Sequence, residues 1–415
     1  MSVQRVIVLS IDALRADHLP CYGYSRDTAP FLSTLAARNA LFTDCYAVSS
    51  HTREAMPTMV TGEYPLAAVD SRYNLAALPV SSCYDGPAAM FHSNPFLSRA
   101  YGYDRGFDAF DDDLRLGRNR LLALGRRLFD KLVDRHYARA STINDRALRW
   151  CEQTASGSFL LWNHYMDVHG PYQPPGRYRT EFLDERVSDR RSQLLLHKAI
   201  RTPGRLTDKD NRVLVGLYDG EIRYVDSQIR SFVDTLRDSG LYENSLLIIT
   251  ADHGEGFGED GVYEHPRTLT EGLLRVPLVV AGDAVPATTI ETPVSLRNLA
   301  ATIGDLLGVE DGAVPGRSLW DYIDGTVTDH DATVFAQVSK KHSDDIEFYA
   351  RSEDSCARAT LSCSTDEVEF DGEGAVLDSL RQHVAEYSDE ADGRESRSHD
   401  DEIERRLRNL GYLDE

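Results

Sequence analysis

The sequence predicts an α/β fold: a doubly wound, mostly parallel sheet with helices on both faces, plus a small C-terminal α+β subdomain. Three observations point there. Apolar runs of strand length are nearly unbroken: RVIVLSI at 5–11, FLLWNH at 159–164, LLIIT at 246–250 and PLVVA at 277–281. Strands buried on both faces read this way. Segments with helical periodicity fall between them, the alternation of a doubly wound sheet. After about residue 327 the texture changes to short alternating stretches, VFAQV, FYARS, RATLSC and EVEF, which suit a small antiparallel sheet.

Taken in order, Arg5–Ile11 is the first buried strand and ends in Asp12. Pro30–Ala40 reads as a helix with Thr28 placed to cap it. Leu41–Ala47 is a short strand, Glu54–Val60 a short helix ending at Gly62, and Ala88–His92 another strand. Leu121–Val133 and Ile143–Gln153 carry helical periodicity, and Phe159–His164 is a strand followed by a Pro/Gly/Tyr loop. Asn211–Leu236 is a long amphipathic helix closed by Gly240. Leu246–Thr250 and Pro277–Ala281 complete the core strands. The chain divides into a catalytic domain at 1–327, an antiparallel subdomain at 328–385, an acidic linker at 386–401 and a docking helix at 402–415. In that last helix Ile403, Leu407 and Leu410 share a face.

With 415 residues, 41% of them hydrophobic, the chain has material for a large core. Its 67 acidic residues outweigh 45 basic ones, a net charge of −22, and only five of the basic residues are lysine. A surface so acidic and lysine-poor suits a protein adapted to high salt, where screening suppresses repulsion. It repels nucleic acid and anionic membranes, so neither is expected as a partner. Six scattered cysteines form no CxxC pair and read as small buried residues of a reducing compartment; Cys356 and Cys363 stand far enough along the chain to meet across a hairpin. The N-terminus enters a strand at once, and no run has the length of a membrane span. A soluble, cytoplasmic protein is expected; its oligomeric state is left open.

In a doubly wound sheet, ligands bind beyond the carboxyl ends of the strands. Those ends are loaded here: Asp12 after the first strand, His92 and Asn94 after AAMF, His164, Asp167 and His169 after FLLW, and Asp252 with His253 after LLIIT. Four strand ends carrying metal-ligand residue types point to one shared site.

These residues sit in segments that resemble a known family. IDALRADHLPCYGYSRDTAP at 11–30 is similar to the first motif of sulfatases and related phosphohydrolases, and ADHGEGFGEDG at 251–261 to their second metal motif. SSHTREAMPTMVTGEYP at 49–65 resembles their nucleophile helix. HYMDVHGPYQPP, SNPFLSRAYGYDRGFDAFDD, LLRVPLVV and RRLRNLGYLDE are similar to further signatures, in family order. The resemblance implies an alkaline phosphatase-like fold and a metal held by Asp12, Asp252, His253 and the oxygen of Thr52.

Departures from the sulfatase pattern shape the expected chemistry. Counted back from Gly62, the nucleophile position is Thr52, where sulfatases carry a Cys or Ser that becomes formylglycine. Glu54 and Met56 replace the Pro and Arg that this conversion resembles needing, so no formylglycine is expected. Ala13 stands where sulfatases often have a second Asp ligand. The remaining nitrogen and oxygen donors suit one divalent ion, Mn²⁺ or Zn²⁺ ahead of Mg²⁺ or Ca²⁺. Thr52 beside a cation at a helix N-terminus is an activated nucleophile. A threonine ester has no hemiacetal route to release sulfate, which favours phosphoester substrates over sulfated sugars or aryl sulfates.

His169 matches the family's oxyanion-contacting histidine. His265 is either the group that protonates the leaving oxygen or an exposed loop histidine. His92 and Asn94 fall near the family's substrate-contacting strand end, though Ser-Asn-Pro is equally a turn. Arg53 either clamps an anion or pairs on the surface. The partner implied is a small-molecule or glycan anionic ester. A protein of another class, a metal-binding scaffold without activity, is the competing reading. The arginines at 177, 179, 190 and 191 are expected to attract an anion if 170–206 forms a lid.

Overall fold

The computed structural model describes residues 3–70, 72–113, 137–154, 157–327, 332–340, 343 and 345–391. The expected helix Leu121–Val133 and docking helix 402–415 lie outside these residues. The central sheet has nine strands. Its order runs Thr288–Ile290, Ala40–Tyr46, Arg275–Ala281, Ser245–Ala251, Arg5–Ile11, Phe159–Tyr165, Ala88–Phe91 and Ala109–Asp111, with Val294–Ser295 also pairing on Ala40–Tyr46. The pairings are parallel except around Arg275–Ala281, which runs antiparallel to both neighbours. The apolar runs seen in the sequence become the central strands because both of their faces are covered. Arg5–Ile11, Phe159–Tyr165 and Ser245–Ala251 are buried along their whole lengths.

Helices pack against this sheet. Ala140–Thr154 lies on Phe159–Tyr165 and Ala88–Phe91, and Asn298–Leu307 on Arg5–Ile11. The 31-residue helix Asp208–Asp238 opens with a capping box between Thr207 and Asp210. The helix Pro30–Ala36 departs from expectation at its start. Thr28 gives its hydroxyl to the His18 carbonyl at 2.6 Å instead of capping. The free N–H groups of Phe31 and Leu32 donate to the Asp226 carboxylate at 3.1 and 2.9 Å, so the cap comes from the long helix.

A second sheet of four antiparallel strands, Val334–Ser339, Ile346–Arg351, Cys356–Ser362 and Glu367–Asp371, packs under the helix Gly374–Ala391. That helix takes in the start of the expected linker, since it runs through 386–391, while 392–401 lie outside the described residues. Val376, Leu377, Leu380, Val384 and Tyr387 are buried at helical spacing, and this stripe holds an otherwise acidic segment in place. The cysteine expectation holds for Cys45 and Cys151, which are buried. Cys356 and Cys363 are exposed, and neither is in a disulfide. The lid arginines are also partly spoken for: Arg191 pairs with Glu185 at 3.2 Å, and Arg179 pairs with Asp189.

Candidate active site

Strand register builds the site. Ile11 lies level with Ala251 on one side and Tyr165 on the other. The next residues, Asp12 and Asp252, therefore leave the sheet side by side. Asp12, Asp252 and His253 are fully buried, and one donor atom from each lies within 4.8 Å of the others. Among the described residues no other group of three such side chains converges in this way. Asp252 Oδ1 accepts from the amides of Ala13 and His253 at 3.2 and 3.0 Å. Its Oδ2 has no partner, and neither has Asp12 Oδ1. His253 Nδ1 is 2.9 Å from the Gly254 carbonyl, so it carries the proton there. The Nε2 lone pair is left 3.7 Å from Asp12 Oδ1 and 3.5 Å from Asp252 Oδ2.

Two buried carboxylate oxygens without hydrogen bonds would be costly on their own. Together with His253 Nε2 they fit a divalent cation. Ala13 supplies no ligand, yet its backbone matters. It adopts φ +60°, at a cost of roughly 1–2 kcal/mol for a residue with a Cβ. Its amide bond to Asp252 and its carbonyl bond from Tyr218 at 2.7 Å hold that turn.

Thr52 opens the helix Thr52–Thr61. His51 caps the helix, Nδ1 accepting from the Arg53 amide at 3.2 Å. Thr52 Oγ1 is 3.1 Å from His253 Nε2 and 3.5 Å from Asp12 Oδ2. Two residues on, Glu54 is buried between Ser49 Oγ and Arg267 Nη1, each at 2.9 Å.

His265 packs over this group, its ring centre 4.6 Å from that of His253 and 4.8 Å from that of His169. Its Nδ1 is 3.1 Å from Glu255 Oε1, and Glu255 Oε2 accepts from the Tyr172 hydroxyl at 2.8 Å. Burial lowers the His265 pKa, but the Glu255 carboxylate outweighs it and pushes it up to about 9. The exposed-loop alternative for His265 does not hold, because its side chain is largely buried. His169 is half-buried with Nδ1 2.7 Å from the Gly170 carbonyl.

Some residues serve others. Asn94 uses both ends of its amide, Nδ2 to Asp12 Oδ2 and Oδ1 from the Phe96 amide, each at 2.9 Å. It orients Asp12. His92 is fully buried with its ring edge-on to Phe110 at 5.1 Å. Asp167 accepts from the Ala140 amide and Arg139. Arg53 makes no ion pair among the described residues; its guanidinium lies over the Phe96 ring at 4.2 Å. Sequence reasoning missed the support behind Asp12. Trp162 Nε1 donates to Ser10 Oγ at 2.8 Å, Ser10 bonds His164 Nδ1 at 2.9 Å, and His164 Nε2 is 3.3 Å from Asp12 Oδ2. The polar residues inside two buried apolar strands were the available signal.

The fold, with its buried acidic and imidazole cluster at the carboxyl edge of a mixed sheet, is alkaline phosphatase-like. The chain belongs to the sulfatase family, whose profile, described as Sulfatase, matches residues 4–309. The structure is similar to phosphonate monoester hydrolase SpPMH from Silicibacter pomeroyi, with a TM-score of 0.71 at 19% identity over 92% of this chain and 95% of that one. That likeness is one of fold. Choline-sulfatase of Rhizobium meliloti is 30% identical over 104 residues, 25% of this chain and 20% of that protein. The low-salt glycan biosynthesis sulfotransferase Agl7 of Haloferax volcanii is 32% identical over 116 residues, 27% and 29% of the two chains. The aligned stretches thus span less than a third of either relative. Among the described residues no helix is long and apolar enough to cross a membrane.

Proposed function

We propose that this protein cleaves an anionic ester through a covalent ester on Thr52, with phosphoesters the preferred class. The observation that carries the reading is the placement of Thr52 Oγ1 at a helix N-terminus, 3.1 Å from His253 and 3.5 Å from Asp12. Asp12, Asp252, His253 and the Thr52 oxygen would hold one divalent cation, which supplies charge neutralisation and a lowered hydroxyl pKa when bound.

The side chains then divide the work. Thr52 Oγ, its proton given up to solvent, forms a bond to phosphorus while the bond to the leaving oxygen breaks. His265, kept protonated by Glu255, stands as the donor to that leaving oxygen. His169, beside His265, offers a contact to the transferred group. Water or an acceptor alcohol takes the group from Thr52 in a second displacement.

Sulfate esters are the second reading, favoured by family membership and by the names of the two curated relatives. A sulfated threonine has no hemiacetal route of collapse, so this reading fits transfer to an acceptor better than hydrolysis. The substrate is a small-molecule or glycan ester. Aryl phosphate monoesters and diesters, an aryl phosphonate monoester and an aryl sulfate, assayed with Mn²⁺, Zn²⁺, Mg²⁺ and Ca²⁺, separate the readings. Phosphate or phosphonate release lost in Thr52→Ala supports the first. Sulfate release alone overturns the phosphoester preference, and no turnover with metal bound leaves a binding protein. The acid-rich, lysine-poor composition fits work in concentrated salt; an unfolding midpoint indifferent to molar KCl would count against that.

A further inference from the structure

Most charged side chains around Thr52 have their partners. Glu54 has Arg267 and Ser49, Glu255 has His265 and Tyr172, and one oxygen of each metal-fitting carboxylate is hydrogen-bonded. Arg53 is different. It follows the nucleophile directly and is half-buried, with its guanidinium 4.2 Å from the centre of Phe96 and 5.2 Å from that of Tyr73. No carboxylate, carbonyl or hydroxyl among the described residues accepts a hydrogen bond from it. Aromatic contacts occupy guanidinium faces and leave the N–H donors at its edge.

The platform under Arg53 is tied to the rest of the site. The Phe96 amide donates to Asn94, whose own amide donates to Asp12. The Tyr73 hydroxyl accepts from Arg267 at 3.1 Å. A second donor stands nearby. Tyr103 is 3% exposed, and its hydroxyl lies within electrostatic reach of both the Arg53 guanidinium and the Asp252 carboxylate. It has no hydrogen-bond partner among the described residues.

We infer that Arg53 and Tyr103 form the oxyanion grip of this site, binding the non-bridging oxygens of the tetrahedral group that Thr52 attacks. The inference rests on the proposed role of Thr52 and deepens it. A fixed guanidinium edge pairs with two oxygens at once, so the substrate's transferred group must keep two unesterified oxygens. Phosphate monoesters and diesters, phosphonate monoesters and sulfate monoesters meet this condition; neutral phosphotriesters do not.

Binding of inorganic phosphate to metal-loaded Thr52→Ala protein, followed by titration calorimetry, tests the grip without needing turnover. Arg53→Met, Arg53→Lys and Tyr103→Phe are added to that background, and bound metal is measured on each sample. Arg53→Met is expected to weaken phosphate about tenfold to a hundredfold, as loss of hydrogen bonds to a charged group does. Tyr103→Phe should cost less. Arg53→Lys should recover only part of the loss, since an ammonium keeps the charge but not the planar edge. If Arg53→Met does not fold, the other two variants decide. Unchanged phosphate affinity in the folded, metal-loaded variants overturns the inference, as does a parent that binds no phosphate. Failure here leaves labelling of Thr52 untouched, so the two claims fall separately.

Discussion

Glu54 and Arg267 meet at 2.9 Å behind Thr52. Arg267 also donates to the Ser339 carbonyl at 2.9 Å and to the Tyr73 hydroxyl at 3.1 Å. One guanidinium thus joins the helix that Thr52 opens, the loop carrying His265 and the edge of the small C-terminal sheet. Glu54→Ala leaves Arg267 largely buried without its charge partner, a change that costs about 3–5 kcal/mol. Urea unfolding should show that loss, with a smaller one for Glu54→Gln. An alanine variant unfolding at the wild-type midpoint would mean that the pair does not hold these segments together.

Asp252→Asn should reduce metal affinity more than it reduces stability. The substituted side chain keeps an oxygen for the Ala13 and His253 amides but removes the charge that the free Oδ2 contributes. Metal content after dialysis should fall well below one ion per chain. Full retention of metal would place the ion elsewhere.

Gly254 is required by a close approach. A Cβ there would collide with the Gly272 carbonyl, and backbone offers no flexible end to move aside. Gly254→Ala should therefore cost about 1–3 kcal/mol, as overpacking does. It should also disturb His253, whose Nδ1 is bonded to the Gly254 carbonyl. Thermal unfolding together with metal content checks both effects; a variant matching wild type in each would show that the loop relaxes freely.

The long helix Asp208–Asp238 carries a buried carboxyl pushed up towards neutrality. Glu221 is fully buried, and burial pushes its carboxyl up to about 7 against the opposing pull of Arg139 at 2.8 Å. Asp167, bonded to the same arginine, faces it. The native state therefore keeps a proton that the unfolded chain loses above its ordinary value of 4.5. This contribution is fully present below pH 4.5 and is lost as pH rises through about 7. Wild-type stability should fall across that window by on the order of 1 kcal/mol per pH unit relative to Glu221→Gln. Parallel stability curves for the two proteins would refute the assignment.

Much of this was legible in the sequence because the determining pattern is local. Asp12 and Asp252 each follow an apolar run, and burial of those runs on both faces fixes the carboxyl edge where they emerge. What stayed hidden depends on register or distant contacts. Ser10 and His164 mean little separately; the pairing of Ser10 with His164 across parallel strands makes them a support for Asp12. Thr28 obeyed the local capping rule, yet a carboxylate on the long helix won the position. The helix Gly374–Ala391 was obscured by composition: its acidic end from 386 reads as linker, while the buried stripe from Val376 to Tyr387 needs the small sheet beneath it to count. Asn94 looked like a turn or a substrate contact, and it makes the turn while holding Asp12.

The central claim is that Thr52 carries the transferred group. Wild-type protein, metal-loaded and quenched during turnover of an ester labelled in its phosphoryl group, should yield one labelled peptide, with the label on Thr52. Thr52→Ala should yield none, and Thr52→Ser should label and turn over. Release of labelled product by Thr52→Ala at the wild-type rate, or label found on another residue, would contradict the account.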